Sequence, residues 1–441
     1  MDFSRKAVFY AFNDVVFFKK TIDEAFFFHA KDLEERDLAF ARLLLTTTLR
    51  NLGQIDNILS FFLKKKLPKR AEKAQTVLRL GTAELLFLKT PAHAALYTSV
   101  ELMRHVGDEF YTKLVNAVLR KVEKQGEALL EKQDATRLNT PSWLLARWEK
   151  AYGKTKAYSI ASSLQKQAPL YLSVKQKNRD FLNRLPKESV VLEDNGSLYF
   201  PDFKGRISSI PDYEKGIWWV QDKAASLPVL LLEENLTGKM VADLCAAPGG
   251  KTFQLLDKNA TVDVFDISEK RLSILKENLT RLHLKVHRIQ ALDGRKIKGE
   301  NLYDIVLLDV PCSGTGTIRK NPELLLHLKE KDIFRLQSLQ KELLLKAISL
   351  LKEGGCLVYS TCSLEKEEAE NLLLNHPHLT PLPLPLAYQK YQTTDGFLRT
   401  FPDEEMTGFF TGIFTVHKER ENKKLKHKPK QCKKEEKGAK R

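Results

Sequence analysis

Two cysteines and an aspartate lie where candidate β-strands end. In YDIVLLDVPCSGTGTIRKNPE, residues 303–323, an apolar run ends at Asp309 and Cys312 follows in the next turn. In GGCLVYSTCS, residues 354–363, a second apolar run ends just before Cys362. Because α/β enzymes keep reactive groups in loops beyond strand ends, these residue types suit a thiolate nucleophile assisted by a carboxylate. For each cysteine, a structural role and a reactive role both stay open at this point.

A second segment has the composition of a ligand-binding loop. In VADLCAAPGGKT, residues 241–252, an apolar strand ends in small residues and a helix begins near Lys251. Gly249 and Gly250 allow a ligand close to the backbone, and a helix N-terminus offers free N–H groups. Asp266 ends the next strand candidate, where an acidic residue binds ribose hydroxyls in nucleotide-binding folds. The loop lacks both GxGxxG and a Walker lysine–serine pair, which favours an adenosine-bearing ligand without phosphate.

The composition indicates a globular chain with a polyanionic partner. The 441 residues suffice for two to four domains, and 43% hydrophobic with 29% charged residues excludes collagen-like or wholly disordered chains. The formal net charge is +16, and the segment 418–441 contains 12 basic and four acidic residues. Such a balance favours nucleic acid over an anionic membrane as the partner. We expect the tail 418–441 to be disordered, because it has no apolar face to bury.

The cysteine count and the hydropathy pattern exclude several classes of protein. Five cysteines are too few for a disulfide scaffold, and no CxxC pair is present, so we expect no structural metal site. Cys356, within a strand candidate, is most simply a core residue. No apolar run reaches the length of a transmembrane helix, so we expect no membrane association and a cytoplasmic location.

The N-terminal half divides into two regions with different sequence patterns. Over residues 37–66, apolar side chains recur on one helical face, and no alternating strand pattern occurs in the first 130 residues. This predicts an all-α domain over 1–135. Short strand-like runs between 166 and 228, separated by Gly and Pro, predict a small mixed α/β subdomain over 140–228.

The C-terminal half alternates strands and helices, which predicts an α/β domain with a parallel, doubly wound sheet over 229–417. Helices are expected at 268–283 and 330–352. The predicted strands are 240–245, 262–266, 286–290, 304–309, 356–361 and 412–417.

Three motifs together resemble those of a known family. DLCAAPGGKT, DVPCSGTGTIRKNPE and YSTCS, in this order, resemble the Nol/Nop/Sun RNA cytosine-5 methyltransferases, which use S-adenosyl-L-methionine. The segments AFARLLLTTTLRNLGQIDNIL and LRLGTAELLFL resemble a NusB-like domain. The resemblance implies a Rossmann-like methyltransferase domain, a NusB-like RNA-binding domain, and small-subunit ribosomal RNA as the partner of a monomeric enzyme.

The resemblance also implies roles for the catalytic residues. Cys362 matches the family's nucleophile, which adds to C6 of cytosine and makes C5 reactive toward a methyl donor. Asp309 matches the aspartate that bonds the base near N3 and N4, and Cys312 matches the cysteine associated with elimination and product release.

The cofactor is expected in the loop after the first strand of the domain, formed by Cys245, Ala246, Ala247, Pro248, Gly249, Gly250 and Lys251. Asp266 is expected on the ribose, Asp293 near the adenine, and Asp309 at the cofactor as well as at the base. For Lys251, a role in holding the active-site loops and a plain helix-start position are both open.

Three questions stay open in the sequence. The family's last motif has an acidic residue before Gly-Phe-Phe, whereas Thr407 stands there and Asp395 precedes another Gly-Phe. The substrate alternatives are ribosomal RNA and transfer RNA. A third hypothesis is a non-catalytic ribosome-assembly factor, which the presence of both cysteines and Asp309 disfavours.

Overall fold

The computed structural model describes residues 2–185, 190–201, 203, 205–403 and 405–418. Of the predicted tail 418–441, only Lys418 falls in this range, so the prediction of disorder there lies outside the described residues. Among the described residues, every helix is too short or too polar to cross a bilayer.

The N-terminal region is all helical, as predicted. In α7 the buried residues Val115, Val118, Leu119 and Val122 follow the spacing of one helical face, and they pack on the central helix α5. The eight helices are α1 (Phe3–Phe18), α2 (Ile22–His29), α3 (Glu35–Arg50), α4 (Leu52–Phe62), α5 (Glu72–Leu86), α6 (Ala92–His105), α7 (Thr112–Leu130) and α8 (Ala135–Asn139).

The expectation of one helical face running over 37–66 is wrong in one respect, because the helix is broken at Asn51. The Asn51 amide donates to the Thr47 carbonyl at 2.9 Å, and α4 starts at the next residue. A Cβ on Gly53 would lie 1.8 Å from the carbonyl oxygen of Leu138. The chain therefore turns at Asn51 where α8 crosses closely over Gly53, a contact that local periodicity does not reveal.

A helical hairpin and a small sheet follow. The hairpin is α9 (Ser142–Tyr152) with α10 (Lys154–Ser163). The antiparallel sheet, in the order β2-β3-β1-β4, consists of β1 (Leu170–Val174), β2 (Val191–Leu192), β3 (Leu198–Phe200) and β4 (Trp218–Val220). The next helix, α11 (Lys223–Leu230), packs Ala224 and Leu227 into the core of the C-terminal domain. The predicted boundary between residues 228 and 229 thus falls inside a helix.

The C-terminal domain has the predicted α/β, Rossmann-like fold. Its sheet runs β10-β12-β9-β8-β5-β6-β7, with β11 paired to β12. The strands are β5 (Met240–Leu244), β6 (Thr261–Asp266), β7 (Arg288–Ala291), β8 (Tyr303–Asp309), β9 (Leu351–Thr361), β10 (Leu379–Pro381), β11 (Leu398–Thr400) and β12 (Phe409–Val416). The strands β5 to β9 are parallel, whereas β12 is antiparallel to β9, so the sheet is mixed.

Helices cover both faces of this sheet. The helices α11, α12 (Gly250–Asp257) and α13 (Glu269–Arg281) pack on one face, and α15 (Glu330–Leu350) packs on the other. The remaining short helices are α14 (Leu324–His327) and α16 (Glu370–Leu373). Because both faces are covered, the edge at the carboxyl ends of β5, β6, β8 and β9 is where the sheet is open to a ligand.

The helical domain docks on the segment that follows Cys312. The Arg50 Nη2 donates to the Arg319 carbonyl at 3.0 Å, and the Ile22 N–H donates to Glu323 Oε1 at 3.2 Å. His327 Nε2 donates to the carbonyl of Val15 at 2.7 Å. The N-terminal domain is therefore fixed to the chain that leads away from the candidate site.

Asp243, on the central strand β5, gives a testable pH dependence of stability. Its side chain is 0% exposed, Thr252 Oγ1 donates to it at 2.6 Å, and burial raises its pKa to about 7. A carboxyl group with a raised pKa in the folded state stabilises the fold below its ordinary pKa. That stability is lost as the pH rises toward 7, by up to about 1.4 kcal/mol per pH unit.

We therefore predict that Asp243→Asn raises the melting temperature relative to wild type more at pH 8 than at pH 5, measured by thermal melts without ligand. The control Asp304→Asn removes the ion pair with Lys352 at 2.8 Å and lowers the melting temperature at pH 8. Parallel pH profiles for wild type and Asp243→Asn would contradict the assignment.

Candidate active site

The edge formed by the carboxyl ends of the parallel strands brings most of the predicted site residues together. The loop 245–251 follows β5, Asp266 ends β6, Asp309 ends β8, and Cys362 follows β9. These strands are neighbours in the sheet, so their ends lie side by side. The strand register therefore brings these positions to one edge of the sheet, and contacts between the loops position their side chains.

The loop 245–251 turns sharply over the end of β5. Cys245 has a φ of 60° and Gly249 a φ of 111°. The Ala246 N–H donates to the carbonyl of Phe265 at 3.1 Å, which holds the loop against β6. A Cβ on Gly249 would lie 2.5 Å from the ring of Phe253, so the packing at the start of α12 requires glycine at this position.

Asp266 fastens this loop from the neighbouring strand. Its side chain is buried, Oδ2 accepts the Ala247 N–H at 3.1 Å, and Oδ1 accepts the Ser268 N–H at 2.9 Å. Arg271 lies 3.5 Å from the carboxylate and also donates to the Ala247 carbonyl. A carboxylate has about four lone-pair sites, so two remain for other donors. The adjacent Ile267 is 73% exposed, which places an unpartnered apolar side chain at the same edge.

Lys251 and Asp309 form the ion pair at the centre of the edge. Lys251 Nζ donates to Asp309 Oδ2 at 2.7 Å, and Ser360 Oγ donates to Asp309 Oδ1 at 2.7 Å. The ammonium group also lies 4.9 Å from the ring centroid of Phe409. Lys251 is therefore more than a helix-start residue, because it connects the loop after β5 to the ends of β8 and β12.

The two candidate cysteines are in direct contact. Cys312 Sγ lies 3.3 Å from Cys362 Sγ, and both residues are partly exposed. The hydrogen bond from Cys312 lowers the pKa of Cys362, and Lys251 lowers it further against the opposing effects of burial and Asp309. The same hydrogen bond, burial and the charges of Cys362 and Glu368 raise the pKa of Cys312. The geometry thus favours a thiolate on Cys362 and a thiol on Cys312.

A buried polar network lies behind the cysteines. Glu368 accepts the Ser313 N–H at 2.9 Å and Ser363 Oγ at 2.5 Å, and Gln340 Nε2 donates to it at 3.0 Å. Burial raises the pKa of Glu368. Sequence reasoning missed this network; the only signal for it was the repeated Cys-Ser dipeptide at 312–313 and 362–363.

Three other predicted residues lie farther from these contacts. Asp293 follows β7 and forms an ion pair with Arg295, whose Nη2 lies 2.6 Å from Asp293 Oδ2. Hydrogen bonds from Arg295 lower the pKa of Asp293. Thr407 Oγ1 donates to Asp222 at 2.7 Å. The N–H of the next residue, Gly408, donates to the Gly316 carbonyl in the loop after Cys312. Asp395 instead sits in an exposed turn that lines a separate cleft of 470 Å³.

Among the described cysteines, Cys356 packs against the core, as expected for it. Cys356 lies on β9 opposite Ile305 and Thr415, and burial raises its pKa to about 12. Within the described ranges, His, Cys, Asp and Glu side chains form no group of three or more suited to a metal ion.

Comparison with known families gives two matches along the chain. Residues 229–415 match the family model "16S rRNA methyltransferase RsmB/F", and residues 3–124 match the NusB family.

Individual relatives cover most of the chain. The chain is 32% identical over 366 residues to the ribosomal RNA small subunit methyltransferase B of Citrobacter koseri, covering 79% of this chain and 84% of the relative. The crystal structure of the protein PH0851 superposes with a TM-score of 0.75 at 25% identity, over 94% of this chain and 98% of that one. A methyltransferase homologue from Pyrococcus horikoshii has a TM-score of 0.53 at 31% identity, over 63% of this chain and 96% of that one.

These matches confirm the resemblance drawn from the three motifs and the helical N-terminus. The chain therefore belongs to the RsmB/F family of 16S rRNA methyltransferases, enzymes that transfer a methyl group from S-adenosyl-L-methionine to RNA.

Proposed function

We propose that this enzyme methylates C5 of a cytosine in small-subunit ribosomal RNA, through a covalent bond between Cys362 and C6 of the base. The observation that carries the proposal is the contact between the two thiols, 3.3 Å apart, beside the Lys251–Asp309 ion pair. Two thiols in contact at the open edge of an α/β sheet can supply a nucleophile and a neighbouring group for proton transfer, which covalent catalysis at a base needs.

The chemistry needs a thiolate because C5 of cytosine is a weak nucleophile. Addition of the Cys362 thiolate to C6 moves an electron pair of the C5–C6 double bond toward C5, which then bonds the methyl group. The cofactor supplies that methyl group as an electrophile attached to a positively charged sulfur. Removal of the C5 proton restores the double bond and breaks the bond to Cys362, which leaves as thiolate.

The two cysteines differ in the protonation state that their surroundings favour. The pKa of Cys362 is lowered by the Cys312 hydrogen bond, whereas the pKa of Cys312 is raised by that hydrogen bond and by burial. Cys362 is therefore the better nucleophile near neutral pH. Once Cys362 is bonded to C6, its charge no longer raises the pKa of Cys312. Cys312 can then lose its own proton to water, accept the proton of C5 and so assist the release of Cys362.

Asp309 is proposed to orient the base. Lys251 and Ser360 hold its two oxygens at 2.7 Å each, which fixes the carboxylate at the end of β8. A fixed carboxylate accepts a hydrogen bond from the cytosine amino group at N4, and it stabilises the proton that N3 takes up from water as sulfur adds to C6.

The residues of the loop 245–251 suit a nucleoside cofactor without phosphate. The start of α12 offers backbone N–H groups, and the carboxylates of Asp266 and Asp309 border the loop, which suits hydroxyl and ammonium groups. Asp266 is proposed on the ribose and Asp293 near the adenine. We add Ile267 as an apolar contact for the adenine ring, because its side chain is 73% exposed next to Asp266.

The substrate proposal rests on the relatives and on charge. The relatives are named for ribosomal small-subunit RNA, and the net charge of +16 suits a polyanion. Transfer RNA and a non-catalytic assembly role are the alternatives. Methyl transfer to deproteinised small-subunit RNA and to transfer RNA, followed by nucleoside mass spectrometry, separates all three.

The cofactor assignment predicts a loss of affinity when Asp266 is neutralised. Hydrogen bonds to a charged acceptor contribute about 1.5–3 kcal/mol, so Asp266→Asn weakens S-adenosylmethionine binding by at least about tenfold. Titration calorimetry gives the affinity, and a thermal melt reports whether the loop contact with Ala247 is also lost. The control Asp263→Asn changes a carboxylate on the same strand that pairs instead with Arg288 at 2.8 Å. Equal cofactor affinity in wild type and Asp266→Asn would contradict the proposal that Asp266 binds the ribose.

The covalent mechanism predicts opposite behaviour of the two cysteine variants. Cys362→Ala binds cofactor and RNA but forms no adduct and no 5-methylcytosine. Cys312→Ala still transfers the methyl group and then accumulates as a protein–RNA adduct that survives denaturing electrophoresis. Thermal melts of both variants distinguish lost chemistry from a lost fold. An adduct from Cys362→Ala and none from Cys312→Ala would reverse the two roles.

RNA binding is predicted to involve the loop between α4 and α5, where Lys64, Lys65 and Lys66 are all exposed. Substituting the three lysines by alanine weakens RNA binding and lowers the slope of log affinity against log salt by about 2–3, because each phosphate contact releases a counterion. Fluorescence anisotropy over a salt series measures both quantities. Lys89→Ala is the control, since Lys89 is already paired with Glu127 at 2.7 Å. An unchanged salt slope in the triple variant would exclude this loop from the RNA interface.

A further inference from the structure

Each of the two active-site cysteines is followed by a serine, and both serines bond the same carboxylate. Ser313, after Cys312, donates to Glu368 from its N–H at 2.9 Å and from its hydroxyl. Ser363, after Cys362, donates from Oγ at 2.5 Å. The two serine hydroxyls also lie 3.0 Å apart. The carboxylate of Glu368 thus connects the two loops that carry the thiols.

The same carboxylate is held from the opposite side by α15. Gln340 Nε2 donates to Glu368 at 3.0 Å and to the carbonyl of Pro311, next to Cys312, at 2.9 Å. The hydroxyl of Tyr359, on β9, donates to the backbone carbonyl of Glu368 at 2.8 Å. Helix α15, strand β9 and both cysteine loops therefore meet at one residue.

Glu368 differs from the other buried glutamates among the described residues in the number of neutral donors around its carboxylate. Glu84, Glu365 and Glu370 each pair with an arginine, and Glu323, which has no ion pair in the described part of the chain, accepts the Ile22 N–H. Glu368 is 0% exposed, and among the described residues it forms no ion pair; its partners are neutral donors. Burying a carboxylate without a cation is costly, which argues for a use beyond stability.

We propose that Glu368 is a positioning residue that holds the two Cys-Ser dipeptides together and so keeps the thiols in contact for the reaction. This inference rests on the proposed function, since it assigns Glu368 to the same covalent chemistry. Loss of the carboxylate releases both dipeptides at once, because the Ser313 and Ser363 donors have it as their common acceptor. The charge of Glu368 also contributes to the raised pKa of Cys312, which keeps that thiol protonated beside Cys362.

The test is Glu368→Gln, which keeps the size of the side chain but removes its charge and replaces one acceptor oxygen by a donor. We expect cofactor affinity and KM for RNA to stay at wild-type levels, because no residue proposed to bind them is changed. We expect kcat to fall about 10²-fold, the effect of misplacing reacting groups by about 1 Å. Single-turnover methyl transfer and titration calorimetry measure these quantities.

A second measurement reports how close the two thiols are and does not depend on methyltransferase activity. The oxidant diamide converts two neighbouring thiols into a disulfide and is itself reduced to the hydrazine. In wild type, Cys312 and Cys362 are expected to be oxidised rapidly to a disulfide, since their sulfur atoms lie 3.3 Å apart. In Glu368→Gln this rate falls, as measured by mass spectrometry of the linked peptides.

Glu365→Gln is the matched control. Glu365 is a buried carboxylate in the same segment, but it is held by Arg147 Nε at 2.8 Å and Trp148 Nε1 at 3.0 Å rather than by the serine side chains. Its neutralisation lowers the melting temperature while kcat and the disulfide rate stay at wild-type levels. If Glu368→Gln does not fold, Ser313→Ala and Ser363→Ala are tested separately, because each removes one hydroxyl that donates to Glu368. Each of these variants is expected to lower kcat and the rate of disulfide formation.

The outcomes separate this inference from the proposed function. A folded Glu368→Gln with wild-type kcat and wild-type disulfide rate overturns the positioning role. Equal losses in Glu365→Gln and Glu368→Gln also overturn it, because they indicate a general effect on stability. Normal methylation by Cys362→Ala ends the covalent mechanism instead, whatever the disulfide rate of Glu368→Gln.

Discussion

The backbone crossing at Gly316 is the contact on which the geometry of the site depends. The Gly316 N–H donates to the Cys362 carbonyl, and the Gly316 carbonyl accepts the Gly408 N–H, both at 2.9 Å. A Cβ on Gly316 would lie 2.1 Å from the Gly408 oxygen, so the three loops approach too closely for any side chain. Because the loops after β8 and β9 and the start of β12 share this crossing, a shift in one moves the others. The contact between the thiols is one consequence of this crossing, and the position of Phe409 over Lys251 is another.

The crossing also connects the site to the rest of the chain. Beyond Gly316 the chain continues to Arg319, whose buried guanidinium donates to the carbonyls of Gln167 and Asp403. Arg50 and Ile22 of the helical domain bond the backbone of Arg319 and the side chain of Glu323. The helical domain, the linker before β1 and the C-terminal loops therefore meet within a dozen residues of Cys312. Removing the helical domain would therefore also remove contacts that support the loop after Cys312.

The sequence was informative wherever the structure follows from local pattern and strand topology. Apolar runs followed by Asp309 and Cys362 located both residues at the open edge, since parallel strands end on one side of a sheet. The sequence was uninformative where contacts between residues far apart in the chain determine the local structure. The break at Asn51 comes from the close passage of α8, and the short strands β10 and β11 exist only because β12 offers them an edge. Glu365, Glu368 and Glu370 lie in a charged stretch, LEKEEAE, whose composition is typical of an exposed helix surface, yet the fold buries all three.

The charges at the edge follow from the same arrangement. Asp243, Asp266 and Asp309 lie on or beyond adjacent strands, and Lys251 pairs with Asp309 between them. Burial is the largest cause of the rise in the pKa of Asp243 to about 7; Asp309 and Asp266 add to it, and Lys251 opposes it. Lys251 pairs with Asp309, and Arg271 lies 3.5 Å from Asp266, so each of these two carboxylates has a cation beside it. Asp309 raises the pKa of Cys362 and Lys251 lowers it. The ion pair therefore lets Asp309 lie beside Cys362 at a smaller cost to thiolate formation than an unpaired carboxylate would impose.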